Sequence, residues 1–182
     1  MTSVSSRDLL PATGQQMVVG IADAKVSAEP GSVLVSYALG SCVAVCMYDA
    51  LNHVGGLLHI LLPDSALDPK KAQASPFTFA DTGVPLLVSQ MVACGASART
   101  LSVRLAGGAQ ITAGPDPFGI GKKNHAAVRK MLWKAGMMVD GEQVGGDVSR
   151  TVRLEVNTGR FLIREGAGIE REIPLKDSRY GR

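Results

Sequence analysis

The chain has 182 residues, enough for one domain with a substantial hydrophobic core. Hydrophobic residues make up 46% of it and aromatic residues 4%, which excludes whole-chain disorder and predicts an aliphatic core. With 19 Lys and Arg against 16 Asp and Glu, the net charge of +3 is too small for a protein that holds nucleic acid mainly through phosphates. We therefore expect no nucleic-acid partner.

The cysteine count and the N-terminal sequence indicate where the protein works. Three cysteines, an odd number, do not form a disulfide framework, and MTSVSSRDLLPATG lacks the apolar core of a signal peptide. The uncharged stretch Pro30–Tyr48 approaches the length of a membrane-spanning helix, but small residues interrupt it and valine dominates the rest. We therefore expect strands there, no membrane insertion, and a reduced, cytoplasmic, monomeric protein.

The first half of the chain reads as strands followed by a helix. β-Branched and aliphatic runs predict strands at Gln16–Val26, Val33–Leu39, Cys42–Tyr48 and Val54–Leu62, the last two joined by the turn DALNH. Leu67–Phe79 is predicted to be a loop. Asp81 or Thr82 is expected to cap the first helix, with Pro85 in its first turn and Gly95 at its end.

The second half adds strands and one more helix. The predicted elements are a strand at Leu101–Ala106, a helix at Lys122–Ala135 closed by Gly136, a strand at Met137–Val144, and a hairpin of Thr151–Val156 and Phe161–Arg164. This order predicts an α/β (α+β) fold with a mixed-sheet core and helices outside. We expect a disordered segment at 1–15, a single domain at 16–166 and a loosely ordered tail at 167–182.

Cys42 and His59 are the residues most suited to chemistry. If Tyr48 pairs with His53 across the turn, Cys42 lies directly opposite His59, with Cβ atoms about 4.5 to 5.5 Å apart. A cysteine nucleophile must be a thiolate, and a nearby histidine is a common way to produce one. A slip of one residue would put the two on opposite faces of the sheet.

Small and hydroxyl residues surround this pair in the sequence. Gly40 and Ser41 permit a tight bend before Cys42 that exposes the sulfur and directs backbone N–H groups at an oxyanion. Ser36 has a hydroxyl that can orient the His59 imidazole.

Spacing alone nevertheless favours core packing for both residues of the pair. Cysteine is among the most buried residue types, and a lone strand histidine is usually a satisfied core residue. Cys46 and Cys94 are also expected to pack in the core. The three histidines are scattered and no C-x-x-C pair exists, so we expect no metal site.

A longer pattern changes this balance. The runs LGSCVAVCMYD (39–49) and GGLLHILLP (55–63) closely resemble the signature of the chemoreceptor glutamine deamidase family, CheD. FADTGVPLL, LAGGAQ, IGKKN and GGDVSRTVRLEVNTGRFLIRE follow in the same order, so the resemblance covers roughly residues 16 to 165. It implies a mixed β-sandwich flanked by helices, similar to the catalytic domain of cytotoxic necrotizing factor.

The resemblance also implies residue roles. Cys42 is the implied nucleophile and His59 its general base, with oxyanion support from backbone near Gly40 and Ser41. Ser36 stands where the family usually has threonine, which keeps the hydroxyl but leaves its χ1 freer. The implied reaction converts receptor glutamines to glutamates through a thioester, without a cofactor, on methyl-accepting chemoreceptors.

Three further interpretations accompany this one. Five basic residues and no acidic one lie between Asp116 and Asp140, which favours either an acidic partner surface or a merely solvated face. The main alternative to an enzyme is a non-catalytic module that binds chemoreceptors or a CheC-type phosphatase. The resemblance implies that such a phosphatase is also a partner of the family. A redox pair of Cys42 and Cys46 is disfavoured, because residues four apart on a strand are about 13 Å apart.

Overall fold

The computed structural model describes residues 15–111 and 118–175, which form ten strands and three helices. The strands are β1 (Gln16–Val18), β2 (Asp23–Ser27), β3 (Val33–Leu39), β4 (Val43–Asp49), β5 (Val54–Ile60), β6 (Leu101–Gly107), β7 (Gly141–Val144), β8 (Arg150–Glu155), β9 (Phe161–Glu165) and β10 (Arg171–Glu172). The helices are α1 (Pro69–Ala74), α2 (Ala80–Ala93) and α3 (Ile120–Lys134).

The strands form two five-stranded sheets. Sheet 1 has the order β1-β3-β8-β9-β10 and sheet 2 the order β2-β5-β4-β6-β7. Most neighbours are antiparallel, while β1–β3 and β6–β7 are parallel, so both sheets are mixed. One hydrophobic core lies between the sheets and a second lies between sheet 2 and helices α2 and α3. The prediction of a mixed β-sandwich flanked by helices is confirmed.

Sheet 2 is the middle layer, so its central strands are buried on both faces. In β4, Val43, Val45 and Met47 pack in the core shared with the helices, whereas Ala44 and Cys46 pack in the core between the sheets. A strand covered on both faces needs apolar side chains at every position, not at alternate ones. This explains the uncharged stretch in the sequence, and within the described ranges no helix is long and apolar enough to cross a membrane.

The predicted strand Gln16–Val26 is wrong as a single element. It is divided into β1 and β2, which belong to different sheets. The chain changes sheets at Gly20–Ala22, where Ala22 has a φ of 56°. This left-handed conformation is uncommon outside glycine and breaks the extended backbone, although the local sequence remains apolar. Most of the segment predicted to be disordered, residues 1–14, lies outside the described residues.

The predicted loop Leu67–Phe79 contains helix α1 between two short 3₁₀ turns. The Asp68 carboxylate accepts a hydrogen bond from Lys71 N at 3.0 Å, and Pro69 occupies the first helical position. These are standard signals for the start of a helix, but the segment is too short for a hydrophobic stripe to reveal it.

The N-cap of helix α2 lies two residues before the predicted cap Asp81 and three before the alternative, Thr82. The N-cap is Phe79, and Asp81 lies within the first turn, where its carboxylate binds the backbone and hydroxyl of Ser65. Pro85 lies in the helix interior and not in the first turn. The predicted end is confirmed, because the helix stops at Ala93 and Gly95 adopts a φ of 101°.

The remaining elements match their predictions closely. Strand β6, the β8–β9 hairpin and helix α3 are present, with Gly136 at a φ of 70° after the helix. Only Gly141–Val144 of the predicted segment Met137–Val144 is a strand.

The segment predicted to be a loosely ordered tail packs against the domain as far as it is described. Strand β10 pairs with β9, and Ile173 is buried in the core between the sheets. The buried Arg104 side chain donates to the carbonyl oxygens of Ile173 and Gly159, and it lies over the Phe161 ring at 5.6 Å. Residues 176–182 lie outside the described part of the chain.

Gly107, at the end of β6, permits the closest backbone approach in the neighbourhood of Cys42. It has a φ of 107°, and a Cβ atom there would lie 2.2 Å from the Cys42 carbonyl oxygen. Gly95 has nearly the same φ, 101°, but its Cβ would meet nothing within 4 Å. A comparison of alanine substitutions at the two glycines therefore separates the cost of backbone strain from that of steric overlap.

We expect Gly107→Ala to lower the free energy of unfolding by about 3 kcal/mol and Gly95→Ala by about 1 kcal/mol. The larger loss follows because the Cys42 loop must move away from the added methyl group. Urea denaturation of both variants measures this, and equal losses would show that overlap at Gly107 is unimportant.

Candidate active site

Cys42 and His59 lie on the same face of sheet 2, but not in the predicted register. Ala44 pairs with His59, and Tyr48 pairs with Gly55 instead of His53. The pairing is therefore shifted by two residues from the prediction, which makes Cys42 a diagonal neighbour of His59 on the face toward sheet 1. Because a shift of two preserves the face, the two side chains still point into the same core.

The turn between β4 and β5 explains the shift. Asp49 pairs with Val54, and its carboxylate accepts hydrogen bonds from Leu51 N at 3.0 Å and Asn52 N at 3.3 Å. His53 adopts a φ of 52°. The Asp49 carboxylate thus stabilises the turn by binding its amides. The turn contains residues 50–53, whereas the predicted register places it at 49–52.

The imidazole of His59 is held from sheet 1 by Ser36. The Ser36 hydroxyl lies 2.8 Å from His59 Nδ1 and also donates to the Val19 carbonyl oxygen at 2.8 Å. A serine hydroxyl has one hydrogen, and Val19 O can only accept, so Nδ1 must donate its N–H to Ser36. Neutral His59 therefore carries its proton on Nδ1 and leaves an unprotonated lone pair on Nε2.

Nε2 of His59 is buried and has no hydrogen-bond partner among the described residues. His59 is 1% exposed, and burial lowers its pKa to about 4. Removal from water disfavours the imidazolium, so the ring is neutral at pH 7. The result is a basic nitrogen without a competing donor, on the same face as the cysteine.

The Cys42 thiol lies at the surface end of the core. The residue is 8% exposed, burial raises its pKa, and a hydrogen bond from its own backbone N–H partly offsets that rise. That N–H therefore lies on the side of the thiol, and it is the nearest backbone donor for the oxyanion of a carbonyl that Sγ attacks. With a neutral histidine and a raised thiol pKa, the free protein holds thiol and imidazole, not an ion pair.

The loop before Cys42 is held by the connection that follows β6. Ala109 N donates to Gly40 O at 2.8 Å, and Gly108 N donates to Cys42 O at 2.7 Å. Ala38, at a φ of 55°, marks the irregular end of β3 that starts this loop. Gly40 and Ser41 thus form the bend that the sequence predicted before the cysteine.

An open pocket of about 370 Å³ leads to this loop. Its described walls are the loop that contains Cys42 on one side and the end of the β6–α3 connection on the other: Ala38, Gly40, Ser41, Cys42, Ala109, Gln110, Ile111, Phe118 and Ile120. Ile111 and Phe118 are 52% and 68% exposed. An apolar rim of this kind suits the methylene groups of a long side chain whose polar end reaches the cysteine.

The structure brings together Ser36, Cys42 and His59, with Gly40 and Ser41 beside them. Cys46 is fully buried near Arg104, four residues along the chain from Cys42, and Cys94 follows the last residue of α2, so neither belongs to this arrangement. Sequence reasoning missed Val19, whose carbonyl decides the tautomer of His59; a backbone acceptor leaves no side-chain signal. Within the described ranges, no group of three His, Cys, Asp or Glu side chains can hold a metal ion.

The buried neutral histidine predicts a pH-dependent stability. The His59 pKa is about 4 in the folded protein against 6.5 as the ordinary value, so the unfolded chain binds this proton first as pH falls. Stability from His59 is therefore complete above pH 6.5 and is lost between pH 6.5 and 4, by about 3 kcal/mol in total. Denaturation at several pH values should show this loss in the wild type but not in His59→Gln; parallel curves would contradict a buried neutral imidazole.

Comparison with known proteins gives a consistent answer. The model of the family described as CheD chemotactic sensory transduction matches residues 61–165. A "probable chemoreceptor glutamine deamidase CheD" of Solibacter usitatus is 46% identical over 160 residues, covering 88% of this chain and 95% of that protein. One from Syntrophotalea carbinolica is 49% identical over 145 residues, covering 79% and 90%.

Among solved structures, the hypothetical protein YfiH of Bacillus licheniformis superposes with a TM-score of 0.43 at 13% identity, covering 69% of this chain and 50% of that one. The family match spans more than half of the chain, and the two relatives extend it through the strands that carry Cys42 and His59. On this similarity the chain belongs to the CheD family.

Proposed function

We propose that this protein is a protein-glutamine deamidase that converts specific glutamine side chains of methyl-accepting chemoreceptors to glutamate. One observation carries the proposal: the Ser36–His59 hydrogen bond leaves a buried, unprotonated Nε2 on the same face as Cys42. A binding module has no need of such a base beside a cysteine. The relatives, named chemoreceptor glutamine deamidases, support both the reaction and its substrate.

The first half of the reaction forms a thioester. Nε2 of His59 takes the proton of the Cys42 thiol as sulfur attacks the carboxamide carbon of the substrate glutamine. The carbonyl oxygen becomes an oxyanion that accepts the Cys42 N–H. His59, now an imidazolium held by Ser36, returns its proton to the nitrogen, and the C–N bond breaks to release ammonia.

The second half hydrolyses the thioester. A water molecule gives a proton to His59 Nε2 and adds its oxygen to the thioester carbon, again producing an oxyanion at the Cys42 N–H. The C–S bond breaks, the Cys42 thiolate regains its proton from His59, and glutamate is released. The same two steps would open a glutamyl methyl ester, with methanol in place of ammonia.

The starting state explains why the site needs an oriented base. The Cys42 thiol pKa is raised and the His59 pKa is lowered, so a preformed thiolate is scarce at neutral pH. Proton transfer must therefore accompany attack, which requires the lone pair of His59 to point at the sulfur. The Ser36 hydroxyl, fixed by Val19, supplies that orientation.

The receptor substrate also suits the outer surface of α3. Five basic side chains on or near this helix are exposed: Lys122, Lys123, Arg129, Lys130 and Lys134. Arg129 pairs with Glu142 at 3.1 Å, and the four lysines extend the positive charge along the helix. Charge complementarity favours an acidic receptor surface, or an acidic face of a CheC-type phosphatase. We propose a monomeric, cytoplasmic enzyme, since the receptor signalling domains to be modified lie in the cytoplasm.

Cys42→Ala should abolish deamidation of receptor signalling fragments, because no other group takes the place of the nucleophile. Intact-peptide mass spectrometry detects the reaction as a gain of about 1 Da at each converted glutamine, since NH₂ is replaced by OH. Cys94→Ser, at the end of α2, is the matched control and should keep wild-type activity. Conversion by Cys42→Ala at the wild-type rate would overturn the mechanism.

If the wild type converts no receptor glutamine yet binds receptor or phosphatase as tightly as Cys42→Ala does, the binding-module interpretation replaces the enzyme.

Ser36→Ala should lower kcat by about 10- to 100-fold with little change in KM, since a misaligned base weakens proton transfer but not substrate binding. Ser36→Thr keeps the hydroxyl and restricts χ1, so it should retain at least wild-type kcat. Steady-state kinetics on a receptor fragment compare the three proteins. Equal kcat values for wild type and Ser36→Ala would remove Ser36 from the mechanism.

A further inference from the structure

Asn124 on α3 joins the two strand ends that carry the nucleophile and the base. Its side chain is fully buried, and Nδ2 donates to Ser41 O at 2.9 Å and to Leu61 O at 3.0 Å. Because both partners are carbonyl oxygens, only the NH₂ group of the amide can face them. Ser41 directly precedes Cys42, and Leu61 follows His59 by two residues.

The bond to Ser41 controls a second group through the peptide plane. The Ser41 carbonyl and the Cys42 N–H belong to one trans peptide, so they point in opposite directions. As Asn124 holds the carbonyl on the side of α3, the N–H is directed away from α3, where it meets Cys42 Sγ. A donor on the carbonyl also polarises the peptide and strengthens its N–H as a donor.

Asn124 completes a row of three anchored carbonyls. Gly40 O and Cys42 O accept from the backbone of Ala109 and Gly108, and Ser41 O accepts from Asn124. Three successive carbonyls bound by the β6–α3 connection and by α3 leave the intervening N–H groups facing the other way, as in an anion-binding nest. Of the three anchors, the one at Ser41 is a side chain and can be changed without altering the backbone.

Only the NH₂ half of this buried amide has hydrogen-bond partners in the described part of the chain. Its Oδ1 is buried and has no hydrogen-bond partner among the residues the structure describes. A buried acceptor without a partner costs free energy; an apolar side chain would avoid that cost but would leave the carbonyls of Ser41 and Leu61 without this donor. The amide is therefore better explained by what its NH₂ group does at Ser41 and Leu61.

We propose that Asn124 is a positioning residue for deamidation, which orients the Ser41–Cys42 peptide so that its N–H stabilises the thiolate and the oxyanion. Its second bond, to Leu61, keeps the strand end of His59 aligned with the loop that contains Cys42. This inference rests on the proposed function of Cys42 and adds the residue that prepares its oxyanion donor.

The test compares Asn124→Ala with Val128→Ala. Val128 is buried one turn further along α3, in the core between the helices and sheet 2, so its truncation destabilises the same helix without touching the loop. Two readouts are needed on folded protein. One is kcat and KM for a receptor fragment, and the other is the pH dependence of iodoacetamide alkylation at Cys42, followed by peptide mapping to separate it from Cys94.

Asn124→Ala should lower kcat by about 10- to 100-fold with KM nearly unchanged, because the oxyanion donor acts in the transition state. It should also move the alkylation midpoint of Cys42 upward by about half a pH unit or more, since a hydrogen bond to the thiolate is loosened. The limiting alkylation rate at high pH should stay the same. Val128→Ala should keep the wild-type kcat and midpoint.

If both values for Asn124→Ala match those of Val128→Ala, Asn124 is structural and the inference is wrong. Asn124→Ser, whose short hydroxyl cannot reach both carbonyls, should shift both readouts in the same direction and decides the matter if Asn124→Ala does not fold. Absence of deamidation by the wild type would overturn the proposed function instead, while the alkylation midpoint would still test the orientation of the Cys42 N–H.

Discussion

The hydrogen bond between Ser36 and His59 is the constraint on which the site depends. Ser36 belongs to sheet 1 and His59 to sheet 2, so the bond spans the core between the sheets. It exists only if both sheets pack face to face in one register. Val19, which follows β1 and lies beside β3 in sheet 1, accepts the serine hydrogen. A polar group in this core is tolerable because Nδ1 and the hydroxyl satisfy one another.

The loop that contains Cys42 has a different kind of support. Cys42 lies just before β4. The carbonyl oxygens of residues 40 to 42 accept hydrogen bonds from the β6–α3 connection and from Asn124. Gly107 makes this possible because a side chain there would overlap the Cys42 carbonyl. The imidazole is thus fixed by a side chain in the core, and the oxyanion donor is fixed by backbone contacts at the edge of the pocket.

Local sequence patterns predicted most of the elements and missed the features that depend on distant partners. Gly95 and Gly136 ended their helices as expected, because the left-handed conformation after a helix is a local property. The predicted register of β4 and β5 was wrong by two residues. The Asp49 carboxylate accepts hydrogen bonds from the turn amides, and one apolar strand pairs almost as well in either register. Gln16–Val26 appeared continuous because both halves are apolar enough to be strands.

The sequence by itself determined the family and the mixed sandwich and singled out Cys42 and His59, because these reside in short motifs and in alternating or doubly buried apolar runs. Only the tertiary structure decided the tautomer of His59, the direction of the Cys42 N–H and the contacts of Asn124. Each of these depends on a backbone carbonyl, of Val19, Ser41 or Leu61, and a carbonyl is the same in every residue. Which donor it meets is settled when the sheets and α3 pack together.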